Sequence, residues 1–307
     1  MTRLHHHPAI RARLRALRPW YNAVFRRQRD YSAAPTPAAY LQQMEGRGVF
    51  LLCFGRSGST VFADYLGTHP KMMSFGEVLG EESFYSYFQW LSRGVLWIWP
   101  LRPTLMAREF YRYAARLVGR HTGMHCLFDI KIESLHLIEG NWRLPGPDFA
   151  LYTHLREANA PVILLRREDL VARYVSGQVA ERRGAYHSYQ GAGAAAVAPF
   201  EIDLAAAKHQ IAQIEASHAA IRAVFQGSPH FMELTYEQLF VPEGSGGTQF
   251  SPDLGARLAN LLGVEDAFDP IPQLQRVSGG SGYADLITNW ADVQRLQDQR
   301  GAPTSAQ

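Results

Sequence analysis

Residues 48–60 read Gly-Val-Phe-Leu-Leu-Cys-Phe-Gly-Arg-Ser-Gly-Ser-Thr, a run of apolar residues followed by a polar, glycine-containing loop. Its apolar run from Val49 to Phe54 predicts a buried strand, and apolar side chains at helical spacing follow at Val61, Phe62, Tyr65 and Leu66. The loop between them is rich in small and hydroxyl residues: Gly55, Arg56, Ser57, Gly58, Ser59 and Thr60. Such a loop directs backbone N–H groups and the positive end of a helix dipole at one point. The stretch therefore predicts an anion-binding loop.

The loop differs from the Walker A loop of ordinary ATPases. That pattern, G-x-x-x-x-G-K-[ST], requires a lysine that grips the phosphates, and this loop has none. An arginine, Arg56, stands at the start of the turn instead. The difference indicates a phosphate-like ligand other than the ATP of a common ATPase.

Composition indicates a globular protein of ordinary type. The 307 residues suffice for one large α/β domain or two small ones, with 47% hydrophobic and 19% charged residues. A net charge of +3 does not call for a nucleic-acid partner. The two cysteines, Cys53 and Cys126, lie in apolar runs and are expected to be buried thiols in a reducing compartment. We therefore expect a cytoplasmic location.

Positive charge is concentrated in the first 30 residues, which carry eight arginines and one acid, Asp30. Apolar side chains alternate with these arginines, so residues 1–45 are expected to form a basic amphipathic arm. The arm would bind the anionic inner face of a membrane or pack on the domain with its arginines in solvent. The triplet His5-His6-His7 is expected to be an unstructured tail and not a metal site. Residues 46–298 are expected to form the globular domain, and residues 299–307 a disordered tail.

An aromatic-rich segment over residues 84–120 is expected to be a helical insertion. Its densest part, residues 84–101, is too short and too interrupted by polar side chains to span a membrane. It would serve as an interfacial helix or a lid over an apolar acceptor, or else pack as a core helix.

Apolar runs and helical periodicities alternate along the rest of the chain. The strand predictions are Val49–Phe54, Cys126–Ile132, Val162–Leu165 and Phe231–Leu234. The main helix predictions are Leu170–Arg182 and Leu204–Phe225, whereas residues 191–199 and 242–252 are expected to be surface loops. This alternation predicts an α/β fold in which helices flank a central parallel sheet on both faces, giving three layers.

A second strand-to-helix junction repeats the logic of the first. The apolar run Pro161–Leu165 is followed by Arg166, Arg167 and a helix that carries Ser176. A guanidinium can hold a phosphate through two hydrogen bonds, and a serine hydroxyl adds a donor. Alone, such an arginine pair is more often a surface ion-pair site. Together with the first loop it indicates a ligand with two separate anionic ends.

These motifs resemble those of sulfotransferases that use 3′-phosphoadenosine 5′-phosphosulfate (PAPS). Residues 54–60 are similar to the 5′-phosphosulfate loop of that family, and residues 166–176 to its 3′-phosphate motif. The spacing is closest to bacterial enzymes that sulfate nodulation factors and trehalose lipids. Shorter similarities keep the family's order over about residues 48–295: His69-Pro70, Gly76-Glu77, residues 128–131, residues 235–239 and residues 287–290. Glu168-Asp169 departs from the Asn-Pro or Asp-Pro of many relatives.

The resemblance implies a P-loop-like fold and transfer of a sulfuryl group from PAPS to a hydroxyl of a glycan or glycolipid, leaving 3′,5′-ADP. It implies no metal. The donor would be bound by residues of both motifs: Arg56, Ser57, Gly58, Ser59, Thr60, Arg166, Arg167 and Ser176. Arg167 is preferred over Arg166 for the 3′-phosphate. Arg56 would also counter charge on the bridging oxygen, in the manner of oxyanion stabilisation.

Two further residues are candidates for catalysis. Lys131 ends an apolar strand and would be a donor-facing cation, or a strand-end lysine that reaches solvent. Glu77 matches the position of a catalytic glutamate in the resemblance, although Ser74–Glu77 also has the pattern of a helix capping box. The competing bases are Glu81, Glu82, His69, His125 and His136. Two other functions stay open at this point: a P-loop-type nucleotide kinase, and a membrane-associated binding protein without catalysis.

Overall fold

The computed structural model describes residues 35–80, 85–87, 89–90, 103–139, 146–183, 197–242, 248–265, 267–269 and 283–300. The strands in these ranges are β1 (Gly48–Cys53), β2 (Met72–Glu77), β3 (His125–Lys131), β4 (Val162–Arg166), β5 (Phe231–Thr235), β6 (Phe240–Pro242) and β7 (Thr248–Phe250). The first five form one parallel sheet in the order β2-β3-β1-β4-β5, and β6 and β7 form a separate antiparallel pair.

Helices connect the strands of the sheet. They are α1 (Pro37–Gln43), α2 (Ser59–Gly67), α3 (Pro103–Arg120), α4 (His136–Glu139), α5 (Ala150–Glu157), α6 (Leu170–Arg183), α7 (Leu204–Phe225), α8 (Pro252–Leu262) and α9 (Trp290–Asp298). Local signals fix several ends: the side chain of Thr36 accepts the Ala39 N–H at the start of α1, and that of Asp203 accepts the Ala206 N–H at the start of α7.

The order of the strands creates a crevice at the carboxyl ends of β1 and β4, in the middle of the sheet. From β1 the chain passes through α2 to β2 on one side, whereas from β4 it passes through α6 and α7 to β5 on the other. The connections after β1 and β4 therefore diverge, although the two strands are neighbours, with Phe50 opposite Val162. In open α/β sheets ligands bind at such a switch point, outside the carboxyl ends of the strands.

Both faces of the sheet are covered, which makes β1 buried at every position. Phe50 and Leu52 point into a large apolar cluster with α1, α3, α5, α6, α7 and α9, and Phe50 stacks on Phe128. Val49, Leu51 and Cys53 point into a second cluster with α2 and α8. Each fully buried large apolar side chain contributes about 1.5–3 kcal/mol to the free energy of unfolding. The prediction of an α/β fold with a central parallel sheet between helices is confirmed.

The four predicted strands and the two main helices are confirmed within one or two residues. The prediction missed β2, and this strand shows that the capping-box interpretation of Ser74–Glu77 was wrong, because those residues are extended. The surface-loop prediction for residues 242–252 was also wrong in part: Phe250 lies in β7, is buried, and stacks on Tyr65 with ring centroids 4.1 Å apart.

The helix α1 lies within the residues predicted as the N-terminal arm, and its region buries Tyr40, Leu41 and Met44 in the main apolar cluster. The first 34 residues of the N-terminal arm lie outside the described residues, as do residues 301–307 of the tail.

Part of the aromatic-rich segment is described. Tyr87 is buried in the main core and packs against Phe110 and Tyr113 of α3, so this part belongs to the core. Residues 91–102, for which a lid was the alternative, are outside the described ranges. No helix in the described part of the chain is long and apolar enough to cross a membrane.

Candidate functional site

The anion-binding loop lies at the carboxyl end of β1, where the crevice opens. Gly58 caps α2 with a left-handed φ of 84°, and Arg56 has a positive φ of 65°. A positive φ costs a non-glycine residue about 1 kcal/mol or more, and such outliers cluster at functional sites. Ser57 and Ser59 are buried, and Thr60 stands in the first turn of α2. The backbone thus curls around the helix N-terminus as the sequence predicts.

Tyr236, in the turn after β5, closes the loop from one side. A Cβ added at Gly58 would overlap the Tyr236 ring, so the ring touches the loop backbone directly. The guanidinium of Arg167 lies over the same ring, 5.3 Å from its centroid. Tyr236 therefore connects the two junctions that the sequence identified, through a cation–π contact and a backbone contact.

Lys131 is bound inside the site and does not reach solvent. Its Nζ donates to both oxygens of Asp129, at 2.8 and 2.7 Å, and to Ser59 Oγ at 2.6 Å. Burial lowers the pKa of Lys131, but Cys53, Asp129 and Glu77 around it raise the pKa above its ordinary value. The ammonium is therefore charged, and Asp129 balances that charge. Because Ser59 Oγ accepts a hydrogen bond from the ammonium, the hydroxyl hydrogen of Ser59 can point towards the loop. The solvent-exposed alternative for this lysine was wrong.

Glu77 stands at the end of β2, with its carboxylate 3.9 Å from Lys131 Nζ. Burial raises its pKa; Lys131 opposes that shift, and Asp129 and Glu133 add to it. A half-buried carboxylate with a raised pKa, beside a cation and open on one side, has the properties of a general base.

Three of the five competing bases lie within the described residues. His69 is buried and both ring nitrogens have backbone partners, Glu265 O and Lys71 N–H, each at 3.0 Å. His125 begins β3, at the opposite end of the sheet from Lys131. His136 begins α4 and contacts the Glu133 carbonyl. Glu81 and Glu82 are outside the described residues. Among the candidate bases in the described residues, Glu77 is the one within ion-pair distance of Lys131.

The two predicted anion motifs meet across the crevice. Arg56 Nε donates to Ser176 Oγ at 3.0 Å, joining the loop after β1 to the second turn of α6. Burial lowers the pKa of Arg56; Tyr283 opposes that shift and Arg167 adds to it. Two guanidiniums and a buried serine hydroxyl thus face one crevice, where an anion would relieve their repulsion.

The structure separates the roles of the neighbouring arginines. Arg166 is engaged with Glu233 and Glu168, and Glu233 also binds Arg222. The buried Nε of Arg167 has no hydrogen-bond partner. Arg167, with its unused donor, therefore lies on the side of the loop, whereas Arg166 belongs to an ion-pair network.

Three further residues of the site were not found from the sequence. Asp129 orients Lys131, and the spacing of these two charges in one apolar strand, which places both on the same face, was an available signal. Glu133 accepts the Gly55 N–H at 2.8 Å. Arg173, on α6, is buried and lies over Phe54, 5.3 Å from its ring centroid. In the described ranges no cluster of three metal-binding side chains occurs.

No protein-family model and no curated protein matches the chain. What the site does is therefore inferred from its own residues and their geometry.

Proposed function

We propose that this protein is a PAPS-dependent sulfotransferase that transfers the sulfuryl group to a hydroxyl of a glycan or glycolipid. The observation that carries the proposal is the Arg56–Ser176 hydrogen bond at 3.0 Å, which joins two anion motifs 120 residues apart. A donor with a phosphosulfate at one end and a 3′-phosphate at the other needs two such motifs on one crevice. The P-loop-like identity of the fold is part of the same proposal.

The residues present fit the donor. The loop amides from Ser57 to Thr60 would bind the 5′-phosphate and the transferring group, and Arg167 and Ser176 would bind the 3′-phosphate. Support comes from the unpartnered, buried Nε of Arg167 and from the glycine at position 58, where a Cβ has no room. Arg56 would counter negative charge on the bridging oxygen as the donor's S–O bond breaks.

The transfer is an in-line displacement at sulfur. The acceptor oxygen forms the new S–O bond, the bond between sulfur and the bridging oxygen breaks, and 3′,5′-ADP leaves with that electron pair. The acceptor proton passes to the carboxylate of Glu77. Lys131 holds Ser59 through the 2.6 Å hydrogen bond and keeps the negative charge of Asp129 balanced beside the reacting groups.

A nucleotide kinase on this fold is the weaker candidate. It would need a carboxylate near the loop to bind Mg²⁺, and Asp129 on β3 is placed for that role. Both Asp129 oxygens, however, bind Lys131 Nζ at 2.7–2.8 Å, so an internal ammonium already balances this carboxylate. The third candidate, a binding protein without catalysis, does not account for the raised pKa of Glu77, because such a shift is typical of catalytic acids and bases.

Thermal unfolding with a panel of nucleotides tests the donor site. We expect 3′,5′-ADP at millimolar concentration to raise Tm by several degrees, and 5′-ADP and Mg-ATP to do so much less. Arg56→Ala and Ser176→Ala should weaken the 3′,5′-ADP effect about tenfold in apparent affinity, as hydrogen bonds to charged groups contribute about 1.5–3 kcal/mol. The control is Ser217→Ala, since this buried serine of α7 has an Oγ without a partner. A protein that 3′,5′-ADP does not stabilise, or that Mg-ATP stabilises more, is not a PAPS enzyme.

Transfer itself is tested with labelled PAPS and lipid and polysaccharide extracts, followed by mass spectrometry of the sulfated product. Fractionation of cells would test the proposed cytoplasmic location on the inner face of a membrane, with a form lacking residues 1–34 as the comparison. A membrane-bound full chain and an unbound shortened chain would assign membrane binding to the arm.

A further inference from the structure

Arg173 carries a buried charge that the described structure does not neutralise. The residue is 7% exposed, its Nε makes no hydrogen bond, and no described carboxylate lies within ion-pair distance of it. Its guanidinium rests on the ring of Phe54. Burial lowers the pKa of Arg173; Glu133 opposes the shift, and Arg167 and Arg56 add to it. A cation in such surroundings destabilises the protein unless it meets an anion.

The anion can reach Arg173 through a pocket between α6 and α7. The pocket has a volume of about 150 Å³ and is lined, besides Arg173, by Arg56, Tyr174, Gly177, Gln178, Glu181 and Gln210. That volume holds about five water molecules, at roughly 30 Å³ each, which is the size of one sugar ring. Two guanidiniums, two amides and one carboxylate suit an acid group surrounded by hydroxyls.

The pocket is beside the proposed donor site but distinct from it. Ser176 and Arg167, which the proposed function assigns to the 3′-phosphate, are not among its lining residues. Arg173, Gly177 and Glu181 follow one another at intervals of four residues and form one stripe of α6. Arg56 borders both regions, so a group held in the pocket lies beside the loop that follows β1.

We propose that this pocket binds the acid group of an acidic sugar, a carboxylate or a sulfate ester, and that the acceptor is an anionic saccharide. Arg173 supplies the fork that binds the acid, and Glu181, Gln178 and Gln210 bind sugar hydroxyls. That the bound sugar is an acceptor rests on the proposed function. That the pocket binds an acid group rests on Arg173 alone.

Isothermal titration calorimetry with matched sugars tests the pocket. The probes are methyl β-D-glucuronide, methyl β-D-glucoside 6-sulfate and the neutral methyl β-D-glucoside, each titrated with and without saturating 3′,5′-ADP. We expect at least one acidic sugar to bind tenfold or more tighter than the neutral one. Arg173→Met should abolish that preference, Arg173→Lys should keep part of it, and Arg295→Met, at an exposed arginine of α9, should leave it unchanged.

Folding is checked by the melting temperature of Arg173→Met, which should equal or exceed that of the wild type, because an unpaired buried charge is removed. Equal affinity for acidic and neutral sugars, or a preference that survives Arg173→Met, overturns the proposal while leaving the donor site intact. Loss of 3′,5′-ADP binding in Arg173→Met also overturns it, since Arg173 would then belong to the donor site. A preference that depends on Arg173 in a protein that does not bind 3′,5′-ADP keeps the pocket and contradicts the proposed function.

Discussion

Arg56 and Ser176 are 120 residues apart in sequence and share a 3.0 Å hydrogen bond from Nε to Oγ. Arg56 follows β1 and Ser176 lies on the helix that follows β4, so the bond crosses the switch point of the sheet. Ser176 is buried and Arg56 is partly buried, and Arg56 takes a left-handed backbone conformation at this point. The contact fixes the position of the loop relative to α6.

A double-mutant cycle measures this contact. Arg56→Ala and Ser176→Ala should each lower the free energy of unfolding, and their effects should be less than additive, with a coupling of about 1–2 kcal/mol. The measurement is urea unfolding of the wild type, both single variants and the double variant. Pairing Arg56→Ala with Ser217→Ala serves as the control, and its effects should add. Additive effects in the first cycle would show that the hydrogen bond contributes nothing to stability.

At Gly58 a side chain has no room beside the Tyr236 ring. Gly58→Ala combines a left-handed φ with a clash against the Tyr236 ring, and should lower the free energy of unfolding by about 2–4 kcal/mol. Gly67→Ala, at the end of the same helix, meets no atom within 4 Å and should change stability by less than about 1 kcal/mol. Chemical denaturation of both variants decides the matter. Similar values for the two would mean that Tyr236 does not hold the loop.

The Lys131–Asp129 pair is buried, so removing one partner should cost more than replacing both. Asp129→Asn leaves the Lys131 ammonium without its balancing charge and should lower the free energy of unfolding by about 3–5 kcal/mol. The double variant Asp129→Asn/Lys131→Met should recover part of that loss. Denaturant titrations at pH 7 measure both. If the double variant is less stable than Asp129→Asn, the pair is not the reason for the loss.

If the proposed sulfate transfer uses Glu77 as its base, the rate should fall on the acid limb of its pH profile because of this residue. A base acts only when deprotonated, so sulfate transfer should fall as the pH drops through the pKa of Glu77. Because burial raises that pKa, the limb should lie above the ordinary carboxyl value of about 4.3. Glu77→Gln should reduce kcat about 10²–10⁴-fold with donor binding retained, and Glu77→Asp should keep part of the activity. Glu81→Gln and Glu82→Gln are the comparisons: a larger loss in either would assign the base there.

The central strands were predictable because continuous apolar runs can only be buried in a sheet covered on both faces. β2 escaped prediction because Met72–Glu77 is an edge strand with mixed polarity, a positive φ at Gly76, and a register shift between Ser74 and Glu77. The burial of Phe250 in β7 could not be foreseen, since it depends on a ring of α2 distant in sequence.

The same distinction holds for the site. The strand, turn and helix N-terminus around Gly55–Thr60 could be predicted because their sequence signals are local. The parts that were missed depend on contacts between residues far apart in sequence. Glu133 accepts the N–H of Gly55, 78 residues before it, and Arg173 of α6 packs on Phe54, which follows β1. In the sequence Arg173 cannot be distinguished from a surface arginine of a helix, and only its burial in the structure marks it as part of the site.

His218 should make the protein less stable in acid. It is 4% exposed on α7, packs edge-on against Phe54, and its Nε2 has no hydrogen-bond partner. Burial lowers its pKa to about 4; Arg222, Arg166 and Arg173 add to the shift and Glu233 opposes it. Between pH 6.5 and 4 the unfolded chain binds a proton here that the folded protein does not, so the free energy of unfolding falls with pH, by about 3 kcal/mol over that interval. His218→Leu should remove this part of the pH dependence, and His209→Leu, at an exposed histidine of the same helix, should keep it. Urea unfolding between pH 4 and 7.5 measures the slopes, and equal slopes for wild type and His218→Leu would show that His218 is not the group that titrates.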